Sequence, residues 1–121
     1  AKGCAEVGIG GPLWEYVRRT GFGAATMASG PHRLAPGLVR RPDVAVTRWD
    51  RLLDASGEIP DIAPAAPDLV VEFPTPDNPP AELARKRREF FAAGTRLLWE
   101  FDLDARAVAE FGNPEACVVL T

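Results

Sequence analysis

Two short apolar runs each carry a carboxylate at one end. In "PDVAV", Asp43 opens the run behind Pro42; in "PDLVVEF", Glu72 stands near the close, ahead of Phe73 and Pro74. Extended backbone sends alternate side chains to opposite faces, so Asp68, Val70 and Glu72 would share one face and Leu69, Val71 and Phe73 the other. A strand covered on both faces would bury Glu72, which would then need a cation, hydrogen-bond donors or a metal to offset its desolvation. An exposed strand end would leave it solvated, and spacing alone leaves both readings standing. If the two runs are neighbouring strands, Asp43 and Glu72 lie one strand spacing apart, ~4.8 Å. Two acids so placed can share one hard divalent cation, with water completing its shell. Taken alone, Asp43 reads as a strand-start acceptor paired to an arginine, with Arg40 and Arg41 just upstream.

Lys86 is the third residue of interest. On a helical wheel, Leu83, Phe90 and Phe91 mark an apolar stripe, and Lys86 falls at its edge, within reach of the sheet or a cleft beside it. Arg87 falls on the same stripe, so the wheel does not single out the lysine. A solvated basic face whose stems cover apolar surface is the plainer alternative. Twelve of the fourteen basic residues are arginine, with lysine only at positions 2 and 86. A compact ammonium among planar guanidinium forks is a distinct chemical choice.

Other chemistries are poorly supplied. The single histidine, His32, sits among turn residues in "GPHRL" and reads as a loop side chain rather than a catalytic base. One histidine far from any nucleophile motif gives a serine or cysteine triad little support. Cys4 and Cys117 lie near opposite ends with no CxxC pair, which argues against zinc and thiol redox chemistry. A disulfide joining them is possible, with reduced thiols in a cytoplasmic protein the favoured reading.

Several elements must position these groups. "GPLWEYVRRTG" reads as a short helix with Pro12 in its first turn, Leu13, Trp14 and Val17 on one face, and Gly21 as its stop. "FGAATMAS" is a weak strand candidate and "GPHRLAPG" a turn-rich segment. A strand is expected over residues 43–47, with proline tolerated at its entrance. One helical turn follows in "RWDRLLD", and "ASGEIPDIAPAAP" reads as a proline-rich surface connector. After the strand "DLVVEF" and the loop "PTPDNPP" comes the helix "PPAELARKRREFFAAG", with Asp77 or Asn78 as N-cap and Gly94 at its end. "TRLLWEFD", "RAVAEFG" and "CVVLT" are strands separated by "DLDA" and "GNPE" turns. Strand, helix, strand in that order predicts a βαβ crossover feeding a mixed sheet, hence an α/β (mixed α+β) fold.

At 121 residues, with 46% hydrophobic and 26% charged residues, the chain suits one domain over residues 1–121. A net charge of -3 argues against general affinity for nucleic acid, though not against a local basic patch. No run approaches the ~18 apolar residues of a membrane span, and the N-terminus lacks a signal-peptide layout.

The order "RRPDVAV", "PDLVVEFPTPDN", Lys86 and "FFAAGTRLLWEFD" resembles the Uma family of restriction-type endonucleases, within the PD-(D/E)xK nuclease superfamily. Lys86 stands at the family's spacing from Glu72, and Gly94, Trp99 and Asp102 fall where its pattern wants them. The likeness runs from about Gly8 to Thr121. It implies a restriction-endonuclease-like fold, a mixed central β-sheet flanked by helices with a magnesium (or manganese) site at one end. By that likeness Asp43 and Glu72 would be the metal-binding carboxylates and Lys86 the basic group near the scissile phosphate, completing a catalytic trio. Pro74 occupies the superfamily's usual lysine position, so Lys86 would act from the helix instead. Arg40, Arg41, Arg85 and Arg88 would contact the phosphates of a DNA substrate without reading sequence.

The chain also departs from the family. Against its pattern, the segment ahead of the first helix is expected to be missing, with Glu6 the early acid to substitute there and Glu15 read as exposed. Thr75-Pro76-Asp77 stands for the family's S-P-S loop. The expectation is a metal-dependent DNA endonuclease, cytoplasmic and homodimeric, since two cuts need two sites and sheet edges need cover. The alternative is a truncated, inactive relative serving as a binding or dimerisation module. Hydrolysis of another phosphoester is a third reading.

Overall fold

The computed structural model describes residues 2–27 and 30–120, with side chains from residue 8 onward. Glu6 and Cys4 therefore lie outside the described side chains, while Cys117 is exposed. In chain order the elements are α1 (Lys2–Thr20), β1 (Gly23–Met27), β2 (His32–Ala35), β3 (Leu38–Arg40), β4 (Val44–Arg48) and α2 (Trp49–Leu52). β5 (Leu69–Glu72), α3 (Pro80–Ala92), β6 (Leu97–Asp102), β7 (Ala107–Phe111) and β8 (Cys117–Leu120) complete it.

Six strands form one mixed sheet in the order β1-β4-β5-β6-β7-β8, and β2 and β3 form a separate hairpin. The pair β5 and β6 is parallel, with Leu69 opposite Leu97 and Glu72 opposite Glu100; the other pairs are antiparallel. A parallel neighbour cannot be reached by a tight turn, so α3 makes the crossover. The expected βαβ unit and mixed sheet are what the chain forms.

Each face of the sheet is covered, which explains the apolar character of β4 and β5. On one face Val44, Val71 and Phe73 pack with Ile9 and Leu13 of α1 and with Trp99 and Phe101. On the other, Val70 and Leu98 meet Phe90 of α3 and Phe111, with Leu34 of the hairpin alongside. Each fully buried aliphatic or aromatic side chain of this kind contributes roughly 1.5–3 kcal/mol.

Four expectations need correction. α1 begins at Lys2, so Pro12 lies inside the helix instead of in its first turn. Within this longer helix Gly10 faces the Met27 side chain of β1. The helix does stop at Gly21, whose φ of +71° suits glycine and whose N–H donates to the Val17 carbonyl.

The turn-rich segment contains the β2–β3 hairpin, and His32 is buried in β2 with Nδ1 3.0 Å from the Ala65 carbonyl oxygen. Burial lowers its pKa, so it is a structural residue and not an exposed loop side chain. The proline-rich connector is a surface segment only in its first half. Its second half buries Ala63, Ala66 and Pro67, and Ala63 exchanges backbone hydrogen bonds with Pro31 and Arg33 of the hairpin.

Finally, α3 has Pro79 at its N-cap with no side-chain cap. Pro80 has no N–H to satisfy, and the Pro79 carbonyl accepts from Glu82 and Leu83. Asn78 instead closes the loop before it, its Oδ1 accepting the Thr75 N–H at 2.8 Å.

Asp68, at the start of β5, ties three elements together. Its carboxylate is 6% exposed, accepts the Arg48 N–H at 2.8 Å, and lies 4.0 Å from Arg51 Nε and 3.9 Å from Arg96 Nε. Removing it would orphan a backbone donor and unbalance the arginines. Asp68→Ala is expected to cost about 2–3 kcal/mol in urea unfolding. Glu15→Ala, which breaks an exposed pair with Arg18 on α1, should cost less than about 0.5 kcal/mol.

Candidate functional site

At the opposite end of β5 the sheet carries a row of acids. Val44 pairs with Val71, so one step further along the same antiparallel register Asp43 falls opposite Glu72. On the other side, parallel pairing sets Glu100 beside Glu72. Period-two alternation puts Glu72 on the same face as Val70, which packs under α3. Above the row, α3 contributes Lys86 and Arg87. A cavity of about 210 Å³ is lined by Asp43, Glu72, Glu100, Arg41, Lys86 and Arg87 among others. Asp43, Glu72 and Lys86, picked out from spacing, therefore open onto one space.

Each acid meets a different environment. Asp43 is buried, and its Oδ2 accepts the Phe73 N–H at 3.0 Å, which binds the end of β4 to the chain just past β5. Glu72 is partly buried, so the solvated reading does not hold. Its pKa rises from 4.5 to about 8, first through burial, then through the charge of Asp43 and a side-chain hydrogen bond with it, against a smaller opposing pull from Lys86. The closeness of Asp43 thus favours the protonated form of Glu72. Glu100 is ion-paired, its Oε2 accepting from Arg87 Nη1 at 2.7 Å.

Lys86 lies 3.4 Å from Glu82 Oε1, one turn back on α3, and is half-buried. Its neighbour Arg87, which the wheel could not separate from it, stacks over the Phe111 ring at 4.4 Å while gripping Glu100. Sequence reasoning missed Glu100 because "LLWEFD" reads as one apolar strand. The signal was available: Glu100 sits on the face that Leu98 shares, and a buried acid demands a partner.

The four arginines separate. Arg40 is bidentate to Glu89 of α3, Nε to Oε1 at 2.8 Å and Nη2 to Oε2 at 3.0 Å, which fastens the hairpin to the helix. That hydrogen bond holds the Glu89 carboxyl below its usual range. Arg41 is exposed and lines the cavity. Arg85 and Arg88 lie exposed on α3. The family-pattern residues are structural: Trp99 Nε1 donates to Glu110 across the β6–β7 pair, and Asp102 Oδ1 accepts the Ala105 N–H in the turn.

The family model described as "Uma2: Putative restriction endonuclease" matches residues 7–120. A solved structure from Anabaena variabilis, described as a putative nuclease belonging to DUF820, superposes with a TM-score of 0.84 at 21% identity. The match covers 99% of this chain and 67% of that one, and the likeness is one of fold. No curated protein is similar enough to count as a match.

The raised pKa of Glu72 has a signed consequence for stability. The fold holds this proton more tightly than the unfolded chain does, so stability falls as pH rises from 4.5 to about 8 and the loss is complete above that. Glu72→Gln cannot ionise. In the presence of chelator it is expected to melt close to wild type at pH 4.5 and at least about 4 °C higher at pH 9, read by thermal denaturation.

Proposed function

The chain belongs to the Uma2 family, and from that premise we propose that it is a DNA endonuclease that hydrolyses phosphodiester bonds using a magnesium or manganese ion held by Asp43 and Glu72. The observation that carries the reading is the meeting of Asp43, Glu72 and Lys86 in one cavity. The donor set fits the ion. Glu72 holds a proton beside the Asp43 carboxyl where a cation can take its place, and hard oxygen donors suit magnesium and manganese. Among the described residues no group of three or more histidine, cysteine or acidic side chains gathers to hold a metal. That suits an ion that keeps several waters and takes one or two carboxylates.

When bound, the ion would polarise a phosphoryl oxygen and lower the pKa of the attacking water. The remaining work falls to the chain. Glu72 releases its proton as the site loads, and Asp43 is kept from rotating by the Phe73 N–H. Lys86 orients the water or stabilises charge developing on the phosphate. Pro74, which stands where the superfamily's lysine usually lies, stiffens the exit from β5. Arg41, Arg85 and Arg88 are placed to meet backbone phosphates, whereas Arg40 is committed to Glu89.

A second reading, a partner-binding or dimerisation module, draws on β8. This edge strand exposes Val118, Val119 and Leu120 at 61%, 60% and 49%, and a bare apolar edge invites another strand. Among the described residues no helix is long and apolar enough to cross a membrane.

Plasmid nicking separates the readings. Wild type with magnesium or manganese should nick supercoiled DNA, and Asp43→Ala, Glu72→Gln and Lys86→Ala should each lower the rate by about 100-fold or more. Equal cutting by wild type and Asp43→Ala would sink the enzymatic reading, as would a folded wild type that cuts no DNA with either metal. For the arginines, Arg41→Ala and Arg88→Ala should weaken DNA binding and flatten its salt dependence. Arg40→Ala should instead lower stability by about 1 kcal/mol, measured by denaturant unfolding.

A further inference from the structure

Three carboxyls lie in line across β4, β5 and β6, yet only two of them touch each other. Glu100 is the direct parallel neighbour of Glu72, one strand away on the same face, and it lines the same cavity. Left unpaired, it would bring a third anionic oxygen donor to within about one strand spacing, ~4.8 Å, of Glu72. Arg87 prevents this. Its Nη1 donates to Glu100 Oε2 at 2.7 Å, with the two side chains 17% and 14% exposed.

The placement of Arg87 is over-determined in one respect and unsatisfied in another. Its guanidinium lies over the Phe111 ring at 4.4 Å, a contact that fixes the plane of the fork. Its Nε is buried with no hydrogen-bond partner. An arginine chosen for hydrogen bonding alone would not leave a buried donor unmet, because that costs free energy. Position and charge at Glu100 account better for the residue than its hydrogen-bond count does.

We propose that Arg87 is a positioning residue that sequesters Glu100, so that a divalent cation at the site meets Asp43 and Glu72 and not a third carboxylate. The inference rests on the metal reading above. Its consequence is selectivity. Magnesium and manganese make do with few protein ligands and retain their waters, whereas calcium takes six to eight oxygens and gains more from each added carboxylate. With Arg87 in place, the Arg87–Glu100 pair adds no net charge to the cavity. Without it, Glu100 turns to the ion, and calcium benefits most.

The test is calorimetric titration of calcium and of manganese into four chelator-stripped proteins: wild type, Arg87→Gln, Glu100→Gln and the double variant, each first checked by thermal melt. Arg87→Gln is expected to tighten calcium by about tenfold and manganese less, narrowing the manganese preference. The double variant is expected to return to within about threefold of wild type, since Glu100 supplies the gain. Glu100→Gln alone leaves the Arg87 charge uncompensated, so it should weaken calcium and manganese alike and keep their ratio within about threefold of wild type, and it decides the matter even where Arg87→Gln does not fold.

Unchanged or weaker calcium binding in a folded Arg87→Gln overturns the proposal. So does a gain that survives in the double variant, which would show that Glu100 is not its source, and so does an equal gain for calcium and manganese in Arg87→Gln, which would make it an effect of lost positive charge alone. A change of tenfold or more in the ratio of calcium to manganese affinity in Glu100→Gln also overturns it, because Glu100 would then already be a ligand. Manganese binding by wild type that disappears in Glu72→Gln, with no effect at Arg87, removes this inference and leaves the metal reading intact. A folded wild type that binds neither cation removes both.

Discussion

Carboxyl groups withdrawn from water into one sheet face, and what each is given in exchange, organise this molecule. Both faces of β5 are covered, so every acid on it must find a partner within the fold. Asp68 and Glu72 share a face by alternation and lie at the two ends of the same short strand. Asp68 is answered by a backbone N–H and by arginines from α2 and from the start of β6. Glu72 is answered chiefly by another acid and by a lysine, and its pKa climbs to about 8. The first arrangement secures the strand. The second leaves the carboxyl holding its proton well above the usual carboxylate range.

The register of β5 between its neighbours transmits that constraint. Antiparallel pairing with β4 brings Asp43 across from Glu72, and parallel pairing with β6 brings Glu100 alongside. The crossover that parallel pairing requires is α3, and α3 carries Lys86 and Arg87 directly over the row. Fold and site are thus two consequences of one strand order. The helix is anchored away from the cavity by Phe90 in the core and by the Arg40–Glu89 fork to the hairpin, so its basic residues are held over acids they do not all touch.

Much of this was legible in the sequence, because it depends on local pattern. The apolar runs at 43–47 and 68–73, the amphipathic segment after 79 and the alternating strands beyond 96 each declare themselves through periodicity. The misreadings of the hairpin and the connector share a cause: long-range contact overrode local propensity. "GPHRLAPG" looked like turns and is a hairpin, stabilised by docking against Ala63 and by burying His32. Asn78 looked like a helix cap and closes a loop, because two prolines had already removed a donor it would have served.

By itself, the sequence determined which groups were available for chemistry and on which element and face each would stand: Asp43 and Glu72 at strand ends, Lys86 and Arg87 on one helix stripe. These follow from the periods of helix and strand, which are properties of the backbone alone. Only the tertiary structure decided the partners. It set Glu72 against Asp43, gave Glu100 to Arg87 and committed Arg40 to Glu89, because pairing across strands and layers depends on register and packing between segments far apart in the chain. The charge state of Glu72 belongs to this second class, since desolvation exists only once both faces of the sheet have been closed.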